Sequence, residues 1–298
     1  MRSRVATIDL GSNSCVLLVL ERDASGFRRV TSELALTRLG EGLDGSGRLS
    51  EAAMARSLEA LARFAERARS LGAEPVVAVG TAALREASNQ AVMIEAAKRL
   101  GVALRPISGE EEAQLSFRAA LDGLGGACVM IDVGGASTEL AWGDDQGLDG
   151  RVSLKVGSVR LTERLGLTAP MNDTACDALL AACAAELEVV PAGLPGALVA
   201  VAGTATTTAQ VDLGLSEYDP ERVDHHEISR TSLDQIFRAL AAKPLAARRA
   251  DHGLPPGRAD VFPAGLALLI ATLDHLGREA LLVRDRGVAW GEALRQFS

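Results

Sequence analysis

Two short segments of this 298-residue chain end an apolar run on an aspartate and continue with small residues. They are Ile8-Asp9-Leu10-Gly11-Ser12-Asn13-Ser14 and, 123 positions later, Ile131-Asp132-Val133-Gly134-Gly135-Ala136-Ser137, which agree at Ile, Asp, Gly and Ser. A turn of such residues lets successive backbone N–H groups point into one concavity that binds an anion. An aspartate beside it can hold a divalent cation, directly or through water, that neutralises a phosphate lying there. One such turn alone is an ordinary hairpin closed by an Asx turn. Two of them, a domain length apart, read as a two-sided phosphate clamp.

Further carboxylates and an arginine have the same flavour. In Ile107-Ser108-Gly109-Glu110-Glu111-Glu112-Ala113, Ser108 and Glu111 form a capping box and Glu110 complements the helix dipole, which leaves Glu112 unexplained and available as a general base on water. Glu139 follows the second turn, two residues past Ser137 on the same strand face. It reads either as a metal- or water-positioning carboxylate or as a surface edge residue. Gly80-Thr81-Ala82-Ala83-Leu84-Arg85 follows an apolar strand, so Arg85 is either a phosphate clamp at the strand's C-terminal end or a solvated helix arginine. Ala202-Gly203-Thr204 repeats that strand-to-helix passage, and Gly203 and Thr204 can hold further phosphates or a nucleotide. His225-His226 is expected on opposite faces of a strand, a poor metal pair. Arg56, Arg63, Arg67 and Arg69, interleaved with Glu59 and Glu66, read as a solvated, salt-bridged helix face.

The elements that must carry these residues alternate. Apolar runs at 5–10 and 15–20 flank the first turn as a hairpin, and a strand over 29–36 follows. Ser50-Glu51 opens a helix with the stripe Met54, Leu58, Leu61, Phe64 and Ala65. A strand at 75–79, a helix at 92–100, a strand at 102–107 and a helix at 110–121 complete the first half. The second half restarts with strands at 128–133, 138–142 and 151–156, helices at 159–165 and 172–189, a strand at 197–202, more helices and a strand at 280–283. Alternation predicts an α/β fold. At roughly 150 residues per domain the length predicts two domains, 1–121 and 122–298, the last helix packing back on the first. The repeated opening predicts duplication with the active site in a cleft between the copies.

Composition narrows the function classes. Hydrophobic residues at 48% and charged residues at 23% are those of a soluble globular protein. A net charge of -8 and 3% aromatics argue against nucleic acid as a partner. Only Lys98, Lys155 and Lys243 are lysines, so anion recognition leans on arginine. No apolar run reaches the ~18 residues of a membrane span, and Met1-Arg2-Ser3-Arg4 leads straight into a strand-like segment, so a cytoplasmic protein without a membrane partner is expected. Cys15, Cys128, Cys176 and Cys183 have neither zinc-site spacing nor disulfide density and are expected to be reduced and buried.

Taken in order, Asp9 to Ser14, Gly80 to Arg85, Ile107 to Ala113 and Asp132 to Leu140 resemble the exopolyphosphatase / guanosine pentaphosphate phosphohydrolase (Ppx/GppA) family of the actin, Hsp70 and sugar-kinase superfamily. Gly157-Ser158-Val159-Arg160-Leu161, Ala202-Gly203-Thr204 and Arg258-Ala259-Asp260-Val261 with Gly265 are similar to later family segments. The resemblance implies two duplicated ribonuclease-H-like domains and Mg2+-dependent (or Mn2+-dependent) removal of terminal phosphate from polyphosphate or guanosine pentaphosphate. It places the catalytic glutamate on Glu112, the acidic metal and water-positioning residues on Asp132 and Glu139, the phosphate loops on Gly11, Ser12, Asn13, Ser14 and Gly134, Gly135, Ala136, Ser137, and the phosphate arginine on Arg85. The expected mechanism is in-line water attack with the metal near Asp9, Asp132 and Glu139. Longer members continue into a helical HD-like region, so a chain stopping at Ser298 is expected to favour shorter polyphosphate; a homodimer is one assembly compatible with the family. Two rival readings keep the fold: a nucleotide-dependent kinase or ATPase using Gly203-Thr204, and an idle sensor binding guanosine tetraphosphate or polyphosphate.

Overall fold

A computed structural model describes residues 3–24, 26–167 and 169–297. Met1, Arg2 and Ser298, which entered the expectations about the chain's two ends, lie outside the described residues. The chain divides into two compact units: one runs to Leu115 and takes in the residues from Val288 onward, and the other is Ser116–Gly287.

The first unit contains β1 (Ser3–Leu10), β2 (Ser14–Asp23), β3 (Gly26–Leu36), α1 (Leu43–Ser46), α2 (Glu51–Ser70), β4 (Val76–Gly80), α3 (Ala82–Glu86), α4 (Gln90–Arg99), β5 (Ala103–Pro106) and the first half of α5 (Gly109–Leu121). Its sheet has the order β3-β2-β1-β4-β5. The first three strands form an antiparallel meander, and β4 and β5 continue parallel to β1, a ribonuclease-H-like arrangement. Ser50 caps α2 by accepting from Ala53 N, as the Ser-Glu start predicts. Leu61, Phe64 and Ala65 of α2 bury against Ile8, Leu17 and Val19 of the hairpin, whereas Met54 and Leu58 are only partly covered.

The second unit contains β6 (Cys128–Val133), β7 (Thr138–Asp144), β8 (Gly147–Leu154), α6 (Ser158–Leu165), α7 (Asp173–Glu186), β9 (Ala197–Val201), α8 (Ala202–Asp212), α9 (Pro220–Val223), β10 (Glu227–Ser229), α10 (Arg230–Ala241), α11 (Leu245–Arg249), α12 (Phe262–Leu276) and β11 (Ala280–Val283). The sheet order is β10-β11-β9-β6-β7-β8. Without the antiparallel edge strand β10, this is the first unit's order over again, β8-β7-β6 as meander and β9, β11 parallel to β6. Every residue of β6 is buried, as the central strand of a covered sheet must be. Its inner face packs on α12, which is apolar nearly all round and therefore interior, and α12 in turn packs on α7. The remaining helix, α13 (Val288–Gln296), packs on β1 and β2 of the first unit. No helix among the described residues is long and apolar enough to cross a membrane.

Two local expectations are corrected. The strand expected at 151–156 starts and ends earlier, as β8 (Gly147–Leu154), which follows β7 after a turn where Gln146 N donates to Asp144 Oδ1. The histidine pair precedes β10 instead of alternating within a strand: His225 has φ 67°, and His226 Nε2 lies 2.7 Å from Asp212 Oδ2.

Candidate active site

The two small-residue turns are built alike. In the first, Gly11 N donates to Ser14 O at 2.9 Å, and in the second Gly134 N donates to Ser137 O at 3.0 Å. A Cβ on Gly11 or Gly134 would sit 3.0 Å from that same carbonyl, so glycine fits the closure best. Loop carbonyls are taken by neighbouring backbone: Asn13 O accepts from Thr37 N and Arg38 N, while Gly135 O accepts from Val159 N and Arg160 N at the start of α6. The Arg160 guanidinium adds a 2.8 Å bond to Ala136 O. Among the described residues, the amides of Ser12 and Asn13, and of Gly135, Ala136 and Ser137, donate to no backbone carbonyl. The carbonyls are thus turned inward and the N–H groups are left for an anion.

In the first unit, Arg85 of α3 reaches the start of α5, its Nη1 donating to Ile107 O at 2.8 Å and to Glu112 Oε2 at 3.0 Å. Glu112 is 6% exposed. A carboxylate this deep stays charged only with such compensation. Arg85 is therefore not the solvated helix arginine of the rival expectation. The capping box is half present. Glu111 N donates to Ser108 Oγ at 3.1 Å, but the Glu111 carboxylate turns away to Arg105 and Arg295. These guanidiniums, Arg105 above all, hold its carboxyl below the usual carboxylate range against the opposing effect of burial. Asp9, next to last in β1, pairs with Val16. Its charge adds to burial in pushing the Cys15 thiol up.

In the second unit, Asp132 and Glu139 are direct cross-strand partners in the β6–β7 ladder, 5% and 1% exposed. Glu139 lies on an interior strand, which removes the surface-edge reading. Ser153 Oγ donates to Glu139 Oε1 at 2.8 Å, and Ser116 Oγ lies 3.4 Å from Asp132 Oδ2. Carboxylate and hydroxyl oxygens are hard donors that suit Mg2+ or Mn2+. Among the described residues no group of three or more His, Cys, Asp or Glu comes together. A cation on this pair would draw its other ligands from water and phosphate, the ordinary habit of Mg2+.

The third loop opens on Ala202 with φ 63°, a left-handed non-glycine residue of the kind found where backbone strain is tolerated for function. Thr204 Oγ1 donates to Val133 O at 2.8 Å, so this hydroxyl ties α8 to the end of β6. Arg258 fills the space that a Cβ on Gly203 would need, and burial pushes its guanidinium down to about 10. Arg258 entered the sequence reading only inside a family segment, and Ser116 and Ser153 not at all. A hydroxyl four residues after Glu112 on one helix was the available signal for Ser116. The arginines of α2 behave as a salt-bridged face, Arg56 with Glu41 and Arg67 with Glu33. All four cysteines are free and buried.

The sequence pattern of the Ppx/GppA phosphatase family matches residues 18–295. Exopolyphosphatase 2 of Mycobacterium tuberculosis is 33% identical, over 98% of each chain. The guanosine-5'-triphosphate,3'-diphosphate pyrophosphatase of Photobacterium profundum is 34% identical over 98% of this chain, which spans 59% of that longer protein. Among solved structures, the Aquifex aeolicus Ppx/GppA family member superimposes with a TM-score of 0.86 at 26% identity, covering 100% of this chain and 98% of that one. An exopolyphosphatase-like protein superimposes with a TM-score of 0.88 at 30% identity, covering 99% and 98%. With paired amide turns, a buried glutamate–arginine couple and a pattern match over most of its length, the chain belongs to the Ppx/GppA phosphatase family.

Proposed function

We propose that this chain is a metal-assisted exopolyphosphatase of the cytoplasm, releasing the terminal phosphate of inorganic polyphosphate, with guanosine pentaphosphate as a further substrate. The observation that carries the reading is Glu112, a buried carboxylate with Arg85 at 3.0 Å in the first turn of α5. The free amides of Ser12, Asn13 and Gly135 to Ser137 support phosphate as the ligand. The name of the M. tuberculosis relative, matched end to end, supports polyphosphate as the substrate. Four thiols without a disulfide suit a reducing compartment.

In this reading Glu112 takes a proton from water as the water oxygen bonds to the terminal phosphorus. The bridging P–O bond breaks, and the shortened chain leaves with the bridging oxygen as a phosphate oxyanion. Arg85 holds Glu112 and offers its remaining N–H groups to the equatorial phosphate oxygens, whose charge grows in the transition state. The loop amides hold the chain in line. Asp132 and Glu139 would hold Mg2+, which when bound neutralises phosphate charge.

The test is Mg2+-dependent phosphate release from short polyphosphate, long polyphosphate, guanosine pentaphosphate and ATP, comparing the protein with Glu112→Gln. Loss of about 10²–10⁴-fold in kcat with binding retained is expected for a missing general base. Binding without release by either protein overturns the hydrolase reading in favour of a sensor. ATP turnover without polyphosphate turnover overturns it in favour of a kinase or ATPase.

A further inference from the structure

A base must be held to a fraction of an ångström, yet Glu112 sits in the first turn of a helix, where backbone hydrogen bonding is incomplete. The residue before it is locked from outside the helix. Arg105 of β5 grips Glu111 bidentately, Nη1 to Oε2 at 3.0 Å and Nη2 to Oε1 at 2.6 Å. Arg295 of α13 adds Nη1 to Glu111 Oε1 at 2.7 Å. Both arginines also meet Glu292 of α13, which is fully buried: Arg295 Nη2 at 2.5 Å and Arg105 Nη2 at 3.4 Å from its Oε2. Gln296 Nε2 occupies Oε1 at 2.6 Å. Glu111, Arg105, Glu292 and Arg295 thus close a ring of alternating charge that joins a strand and two helices. Val288 of α13 shares a buried apolar cluster with Leu115, Ile107 and Val79.

Helix capping alone does not require this ring. Ser108 Oγ caps the Glu111 amide without it, and a capping box would send the Glu111 carboxylate back to Ser108. Exposed ion pairs contribute little stability one at a time, whereas a bidentate, closed network fixes orientation. We infer that Glu111 is a positioning residue for Glu112, and that α13, through Arg295 and Glu292, clamps the first turn of α5 in the geometry that hydrolysis needs. The inference rests on Glu112 as the base.

The experiment measures kcat, KM and thermal stability on polyphosphate for Glu111→Gln, Arg295→Met, the double variant and Glu112→Gln, at a temperature where each is folded. A clamp predicts that each single variant loses roughly tenfold or more in kcat with KM nearly unchanged, in keeping with the cost of misplacing a reacting group. The double variant should lose no more than the worse single, because the ring is already open. Wild-type kcat in both single variants, with lowered stability, overturns the clamp and leaves Glu112 as base if Glu112→Gln is inactive. Wild-type kcat in Glu112→Gln overturns the base and the clamp together. Should Glu111→Gln fail to fold, Arg105→Lys, which keeps the charge and loses the fork, replaces it with the same expected kcat loss and the same overturning result.

Discussion

Asp132 faces Glu139 directly across the β6–β7 ladder, two carboxylates on one face of a covered sheet. Like charges directly opposite each other destabilise a sheet. In the reading proposed above, a divalent cation on these hard oxygens offsets that repulsion. Binding to the native state alone stabilises by mass action. At Mg2+ ten times its dissociation constant this amounts to about 1.4 kcal/mol, or roughly 3–6 °C for a unit of this size. A melting scan with and without Mg2+ should show that shift in the wild type and a much smaller one in Asp132→Asn and Glu139→Gln. An equal shift in all three would place the cation elsewhere.

Arg85 does two things with one nitrogen, bonding Ile107 O and Glu112 Oε2. A lysine keeps the charge, but its shorter stem ends in a flexible point charge that does not hold Ile107 O and Glu112 together while leaving a second planar N–H arm for phosphate. Hydrogen bonds to charged groups contribute about 1.5–3 kcal/mol, so Arg85→Lys should lower kcat/KM for polyphosphate by about 10- to 150-fold. Steady-state rates decide this, and a loss under threefold would show that Arg85 is dispensable to the chemistry.

Glu21 is fully buried between Arg4 and Arg28, and Arg28 above all holds its carboxyl below the usual carboxylate range. Glu111 is depressed in the same way. A carboxylate depressed in the folded state contributes stability that is complete above its unfolded value, about 4.3, and is lost as pH falls through its folded value. The melting-temperature gap between wild type and Glu21→Gln should therefore be widest at neutral pH and close as pH drops from about 5 towards 3. A gap that stays constant over that range would show that the Glu21 charge does not stabilise the fold.

What could be read from the sequence was what a few neighbouring residues decide. The turn at Gly134 closes on Ser137 three residues away, so its composition announces it. The repeat of sheet order followed from the repeated Ile-Asp-x-Gly-x-x-Ser, because each copy opens its own meander. Local logic also had a cost. It assigned Glu111 to a capping box, and only the Ser108 half formed, because Arg295, 184 residues away, competes for the carboxylate with a charged fork. Long-range ion pairs leave no trace in spacing. The histidine pair failed for a related reason: β10 begins one residue later, at Glu227, and Asp212 at the end of α8 captures His226 before the strand starts. Glu139 stayed ambiguous until β8 was seen to flank its strand, since burial of a carboxylate depends on neighbours that a single segment does not show.

Gly291 offers a test of how closely α13 must fit. A Cβ there would lie 2.0 Å from Leu115 O and 2.6 Å from its carbonyl carbon, so the obstacle is the backbone of α5 and no side chain can yield. On its other side α13 is tied to β1, Thr7 Oγ1 donating to Ala289 O at 2.7 Å. Gly291→Ala should therefore force α13 outward and lower stability by about 1–3 kcal/mol, the usual penalty for overpacking, although alanine favours a helix more than glycine does. The same displacement pulls Arg295 from Glu111, so kcat should fall along with the melting temperature. Chemical denaturation and initial rates on one preparation check both. A variant as stable as the wild type would show that α13 has slack at this crossing.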